Sequence, residues 1–139
     1  MSATADRTAA GVRVLDNFIG GRWVPSASGD LLDVTNPATG EVLSRVPLST
    51  KAELEAAVTA ARAALPAWRK RSVIDRARWL FSFRQALEAR ADEIAASVTR
   101  EMGKTFPDAQ AEVARMIEMV EAATAVPQTM QGRILEGVA

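Results

Sequence analysis

The stretch EMGKTFPDAQAEVARMIEMVE, residues 101–121, holds the residue best placed to do chemistry, Arg115, with Glu112 and Glu118 three positions to either side. Two roles fit that spacing. Arg115 can form exposed ion pairs with its two neighbours, each worth a few tenths of a kcal/mol. Alternatively, it can present a fixed guanidinium that grips a substrate carboxylate with two parallel hydrogen bonds. Periodicity does not separate the two, and most charged helix faces are simply solvated. Arg76, Arg78 and Arg84 form a second basic group. They have no interleaved glycines or converging helix terminus, so a solvated face is the better reading.

The rest of the chain narrows the chemistry further. Its 139 residues include neither cysteine nor histidine. Thiolate nucleophiles, imidazole bases, disulfides and the usual zinc ligands are therefore excluded within it, leaving carboxylates, basic side chains and hydroxyls. The phosphate-binding patterns GxxxxGK[ST] and GxGxxG are absent, as is the GxSxG nucleophile elbow. Seventeen basic and seventeen acidic residues balance, which argues against nucleic acid or an anionic membrane as partner. The opening MSATADRTAA has no apolar core of a signal peptide, and no later stretch reaches membrane-spanning length, so a cytoplasmic protein is expected.

The elements that must position Arg115 follow from local patterns. Residues 1–13 are small, polar and aperiodic, and read as a disordered lead-in. Residues 14–48 read as two β-hairpins. The first joins Val14–Ile19 to Arg22–Val24 through Gly20-Gly21, with Phe18 and Trp23 as its buried anchors. The second joins Leu31–Thr35 to Glu41–Val46 through Asn36-Pro37-Ala38-Thr39-Gly40. Two isolated ribbons are marginal in water and need a packing partner.

Residues 49–126 read as four amphipathic helices. Thr50 and Glu53 form a capping box for the first, whose stripe Leu54, Val58, Ala61, Leu65 runs up to Pro66, with Trp68 in the connector packing back on the core. Ser72 and Asp75 open the second, which is apolar over more than half its circumference and so is expected to be covered on two sides. Asp92 opens the third, which closes at a left-handed Gly103, with Lys104 near the negative end of its dipole. Thr105, Pro107 and Asp108 start the fourth. Its apolar face is Val113, Met116, Ile117, Val120 and Ala123, and Arg115 is its only cation. Pro127 breaks the pattern, and Ile134–Ala139 begins something extended and stops, giving a truncated end over 127–139. The fold class from these patterns is α+β, with helices segregated from a small sheet.

The run FIGGRWV, then NPATGEVLSRVP, then AW, RARWLFSFRQALEARADEIA and EMGK, resembles the N-terminal part of the aldehyde dehydrogenase superfamily, from Asn17 to Gly132. In the family's order stand Gly20-Gly21 with Trp23, Asn36-Pro37 with Thr39-Gly40-Glu41, Trp68, Arg78, and Glu101 with Gly103-Lys104. The segment PDAQAEVARMIEMVEAA followed by VPQTMQG is similar to CoA-acylating methylmalonate-semialdehyde dehydrogenases. There Arg115 falls on the arginine of an EV-x-R-x-I-E motif that binds the substrate carboxylate. Met116 replaces the glycine usual after that arginine, and Ala122-Ala123 lacks an aromatic often found nearby. Both departures leave room for a different semialdehyde.

What this resemblance implies is larger than the chain. Residues 14–139 would be the N-terminal segment of an incomplete NAD-binding domain of the α/β aldehyde dehydrogenase fold. The complete enzyme would be a homo-oligomer using NAD and CoA, with a cysteine nucleophile and an oxyanion hole acting on a small semialdehyde. No catalytic, cofactor or metal residue of that machinery is expected here, and the chain alone is expected to bind neither cofactor and to be inactive. A non-acylating aldehyde dehydrogenase, a non-catalytic interaction module and a relic remain as alternatives.

Overall fold

The computed structural model describes residues 7–9, 11–134 and 136–137. Strands come first: β1 (Arg7–Ala9), β2 (Val12–Val14), β3 (Asn17–Ile19), β4 (Arg22–Val24), β5 (Leu31–Thr35) and β6 (Val42–Pro47). Helices follow: α1 (Lys51–Lys70), α2 (Val73–Glu88), α3 (Ala91–Met102), α4 (Phe106–Ala123) and the short α5 (Val126–Thr129). The chain is α+β, as its patterns predict.

The strands make two sheets, one in the order β1-β2-β6-β5 and one of β3 and β4 alone. This corrects the reading of residues 14–19 as one strand. Val14 pairs in parallel with Arg45 of β6, and the Leu15 N–H donates to the Arg45 carbonyl at 2.8 Å, whereas Asn17 to Ile19 pair with β4. It also corrects the disordered lead-in, because Arg7–Ala9 and Val12–Val14 pair antiparallel on the edge of the larger sheet. Small polar side chains do not prevent such pairing, since the backbone supplies the hydrogen bonds once β6 offers a neighbour. Residues 1–6 and 10 of that lead-in lie outside the described residues. The β5–β6 hairpin forms as expected, and the Asp33 carboxylate accepts from Arg45 Nε across it at 2.7 Å.

Helix starts match the sequence closely. Thr50 and Glu53 form the reciprocal capping box of α1, and Ser72 and Thr105 accept from the backbone of Asp75 and Asp108. Two proline expectations fail. Pro66 lies inside α1, which continues through Trp68 to Lys70. Pro66 leaves the Arg62 carbonyl without a donor, but this end of α1 is exposed and water can serve it. Pro127 starts α5 instead of breaking a helix, because its missing N–H falls in the first turn, where no partner is required. The expected extended element at residues 134–139 falls partly on Leu135, Val138 and Ala139, outside the described residues. Ile134, Glu136 and Gly137 form no strand.

Helix α4 packs against both α2 and α3, α5 rests on α2, and α1 touches β3. The tightest seam joins α3 to α4: Ala95 and Ala109 are wholly buried with Val113, and Ala91, Ile94, Val98 and Ile117 pack around them. Elsewhere many of the large apolar side chains stay open. Phe18 and Trp23 stack edge to face at 5.0 Å but remain exposed and do not anchor the hairpin in a core. Trp68, Ile74, Trp79, Phe81 and Phe83 are also exposed, so the second face of α2 has no cover among the described residues.

Gly103 caps α3 at φ 68°, and a Cβ there would come within 3.0 Å of Pro37 Cγ and 3.3 Å of Ala38 in the β5–β6 turn. The Gly103→Ala substitution is therefore expected to lower stability by about 1–2 kcal/mol from backbone strain, more if the turn cannot yield. Gly29→Ala, with open space and no positive φ, is expected to be neutral or slightly stabilising. Urea unfolding of the two variants beside the parent checks both.

Candidate functional site

Arg115 stands on the side of α4 opposite Ala109, Val113 and Ile117, its side chain 75% exposed. Its Nη1 donates to Glu118 Oε2 at 2.8 Å. Its Nε and Nη2 have no hydrogen-bond partner among the described residues. Glu112, the other carboxylate in reach by sequence, is bound instead by Lys104 from the α3–α4 junction. One of the two ion pairs expected for Arg115 therefore forms and the other does not. Lys104 points to α4 rather than to the end of α3, because a full carboxylate charge attracts it more than a partial helix-end charge does.

The second basic group is dispersed. Arg78 pairs with Asp75 at 2.9 Å and is exposed. Arg84 bonds Glu88 at 2.9 Å and reaches Glu121 of α4 at 3.4 Å, tying α2 to α4. Arg76 is only partly exposed, and its buried Nε has no hydrogen-bond partner among the described residues. A uniformly solvated face is thus right for Arg78 and wrong for the other two. Spacing within one helix cannot reveal a partner 37 residues away.

Four surface depressions, with volumes of ≈ 210, 240, 330 and 340 Å³, lie elsewhere, and Arg115 lines none of them. The ≈ 240 Å³ depression gathers Arg71, Asp75, Arg78, Trp79 and Ser82. It looks suited to an anion, but it already contains one. The Ser72 hydroxyl, with Arg78 and Arg71, holds the Asp75 carboxyl below its ordinary range, so the cations are partly neutralised from within. Among the described residues no group of His, Cys, Asp and Glu is placed to hold a metal ion. No described helix is long and apolar enough to cross a membrane.

The chain belongs to the aldehyde dehydrogenase family, whose pattern matches residues 23–139. Within that family it is 52% identical over 127 residues to malonate-semialdehyde dehydrogenase 3 of Geobacillus kaustophilus, covering 91% of this chain and 26% of that protein. A crystal structure described as a methylmalonate-semialdehyde dehydrogenase of Sinorhizobium meliloti complexed with NAD superposes with a TM-score of 0.85 at 36% identity, over 94% of this chain and 27% of that one. The lactaldehyde dehydrogenase of Escherichia coli superposes almost as well, at a TM-score of 0.82 and 30% identity, over 91% of this chain and 26% of that one. The backbone of this region therefore does not distinguish substrates. The chain spans about a quarter of the length of the relatives it matches.

The most strongly perturbed acid is not near Arg115. Glu53 is lowered from 4.5 to about 2, first by the Thr50 N–H and then by the Ala27 N–H, with the Ser26 and Thr50 hydroxyls adding to them. The bonds measure 2.7 Å from Thr50 N, 2.8 Å from Ala27 N and 3.0 Å from Ser26 Oγ. The capping box was legible in sequence. The additional clamp on the Ser26–Ala27 loop was not, because that loop is brought to α1 only by the fold. A depressed carboxyl contributes stability fully above its unfolded pKa, near 4.5, and loses it as pH falls through its folded value of about 2. The parent's stability advantage over Glu53→Gln should therefore be constant above about pH 5, shrink between pH 4.5 and 2, and vanish below. Urea midpoints measured across that range check it.

Proposed function

We propose that residues 14–139 are the N-terminal segment of the NAD-binding domain of a CoA-acylating malonate- or methylmalonate-semialdehyde dehydrogenase, with Arg115 as the group that binds the substrate carboxylate. The observation that carries this reading is the 52% identity to a malonate-semialdehyde dehydrogenase, maintained over 91% of the chain. Arg115 supports it chemically. A malonate-type semialdehyde carries a carboxylate beside its aldehyde, and the free Nε–Nη2 edge of Arg115 matches the spacing of two carboxylate oxygens.

In this reading the complete enzyme is a cytoplasmic homo-oligomer that converts a small semialdehyde, NAD and CoA to acyl-CoA, carbon dioxide and NADH. The cofactors supply the hydride acceptor and the acyl acceptor. In this reading the residues described here hold neither of them. Gly11, Gly20, Gly21 and Gly40 close turns, and Gly103 is packed against Pro37 and Ala38, so no glycine leaves a backbone cradle open at a helix start. The chain also contains no cysteine to serve as nucleophile. What its own residues do is orient: α4 holds Arg115 outward, and Arg115 fixes which end of the substrate points away from the reacting carbonyl.

A second reading, a module that associates with intact dehydrogenase subunits, draws on the exposed Trp79, Phe81 and Phe83. It requires saturable binding of the purified chain to such an enzyme, and calorimetry showing none would remove it.

Two outcomes are expected. The purified 139-residue chain forms no NADH with malonate semialdehyde, NAD and CoA, followed at the nicotinamide absorbance. When the chain replaces the matching quarter of a related malonate-semialdehyde dehydrogenase, Arg115→Ala should raise KM for carboxylated aldehydes by about 10- to 100-fold, the worth of a charged hydrogen-bond pair. KM for propanal should change by less than about twofold. Equal effects on both substrates would sink the carboxylate role.

A further inference from the structure

Arg115 can only receive a substrate carboxylate if the protein's own carboxylates do not saturate it. Two lie within reach on α4, Glu112 one turn before and Glu118 one turn after. They are treated differently. Glu118 takes Nη1 alone, which steadies the guanidinium plane and leaves the Nε–Nη2 edge open. Glu112 is drawn the other way by Lys104, whose side chain is only 23% exposed and sits just beyond the Gly103 cap. The cap is wedged against Pro37 and Ala38, so the point from which Lys104 reaches Glu112 is fixed by the fold.

We propose that Lys104 is a positioning residue for carboxylate recognition: by holding Glu112 at the α3–α4 junction, it keeps that carboxylate off Arg115 and leaves one guanidinium edge for the substrate. This rests on the assignment of Arg115 to the substrate carboxylate. Removing the ammonium frees Glu112 to rotate onto Arg115, so the substrate must displace an internal anion. Neutralising Glu112 as well abolishes that competition, even though the ion pair is still absent. A purely structural role for the Lys104–Glu112 pair predicts damage that does not discriminate between carboxylated and uncharged aldehydes, since a disturbed α3–α4 junction affects both alike.

The test uses the enzyme carrying this chain, with malonate semialdehyde and propanal as paired substrates. Lys104→Met is expected to raise KM for malonate semialdehyde by about two- to tenfold, the lower figure being one exposed ion pair and the upper one partly desolvated. Its kcat, and both constants for propanal, should hold. Lys104→Met/Glu112→Gln should restore the malonate-semialdehyde KM, and Lys104→Arg should resemble the parent. Loss on both substrates alike, or a double variant no better than the single one, overturns the proposal. If Arg115→Ala fails to separate the two substrates, the underlying assignment fails instead. Should Lys104→Met not fold, ¹⁵N NMR of the Arg115 side chain decides. Glu118→Gln should move the Arg115 Nη signals and Glu112→Gln should leave the Nη and Nε–H signals in place, whereas a shift with Glu112→Gln would show that Glu112 already occupies Arg115.

Discussion

Ala95 on α3 and Ala109 on α4 are both wholly excluded from solvent, and the position of nearly everything functional depends on that contact. Methyl-sized side chains let the two helix backbones approach closely, and Val113, Ile94, Val98 and Ile117 close the seam around them. Once that face of α4 is fixed inward, helical geometry sends Arg115 outward. The same seam sets the short connection through Gly103, whose left-handed cap meets the β5–β6 turn. A bulkier residue at either alanine would part the helices and move the junction, Lys104 and Arg115 together.

Around this seam the chain buries little else. Among the described residues, the buried apolar positions are Val14, Ala77, Ala95, Ala109 and Val113, while Trp23, Trp68, Trp79, Phe81 and Phe83 remain open to solvent. Large aromatic side chains contribute most to stability when covered, so α1, α2 and the β3–β4 ribbon present faces suited to further protein surface. The relatives extend over roughly four times the length matched here, which is consistent with such a surface existing in the family.

Charge serves two separate ends in this molecule. Around Glu53, backbone and hydroxyl donors converge on one carboxylate and tie a loop to the start of α1, with a large effect on its proton affinity. Around Arg115 a single contact is made and two nitrogens are left over. A perturbed titrating group marks a well-satisfied structural clamp in the first case. Free bonding capacity is the more informative signal in the second.

Local sequence determined the helix starts, the left-handed stop at Gly103, the β5–β6 hairpin, the α+β class and the outward setting of Arg115. Each of these depends on interactions within a few residues: a cap, a turn angle, a three-to-four spacing. Family membership was legible for the same reason, as ordered short motifs. Other features depended on partners distant in the chain. Val14 left its apparent strand because β6 offered Arg45, and residues 7–9 became a strand because β2 lay beside them. Pro66 was tolerated in a stretch of α1 that is exposed throughout, where water can serve the carbonyl it orphans. Lys104 chose Glu112 across a helix junction, and Arg84 reached Glu121 on another helix. Sequence spacing records which residues share a face of one element. Which charge finds which partner, and which apolar face finds cover, is decided by how the elements are brought together in space.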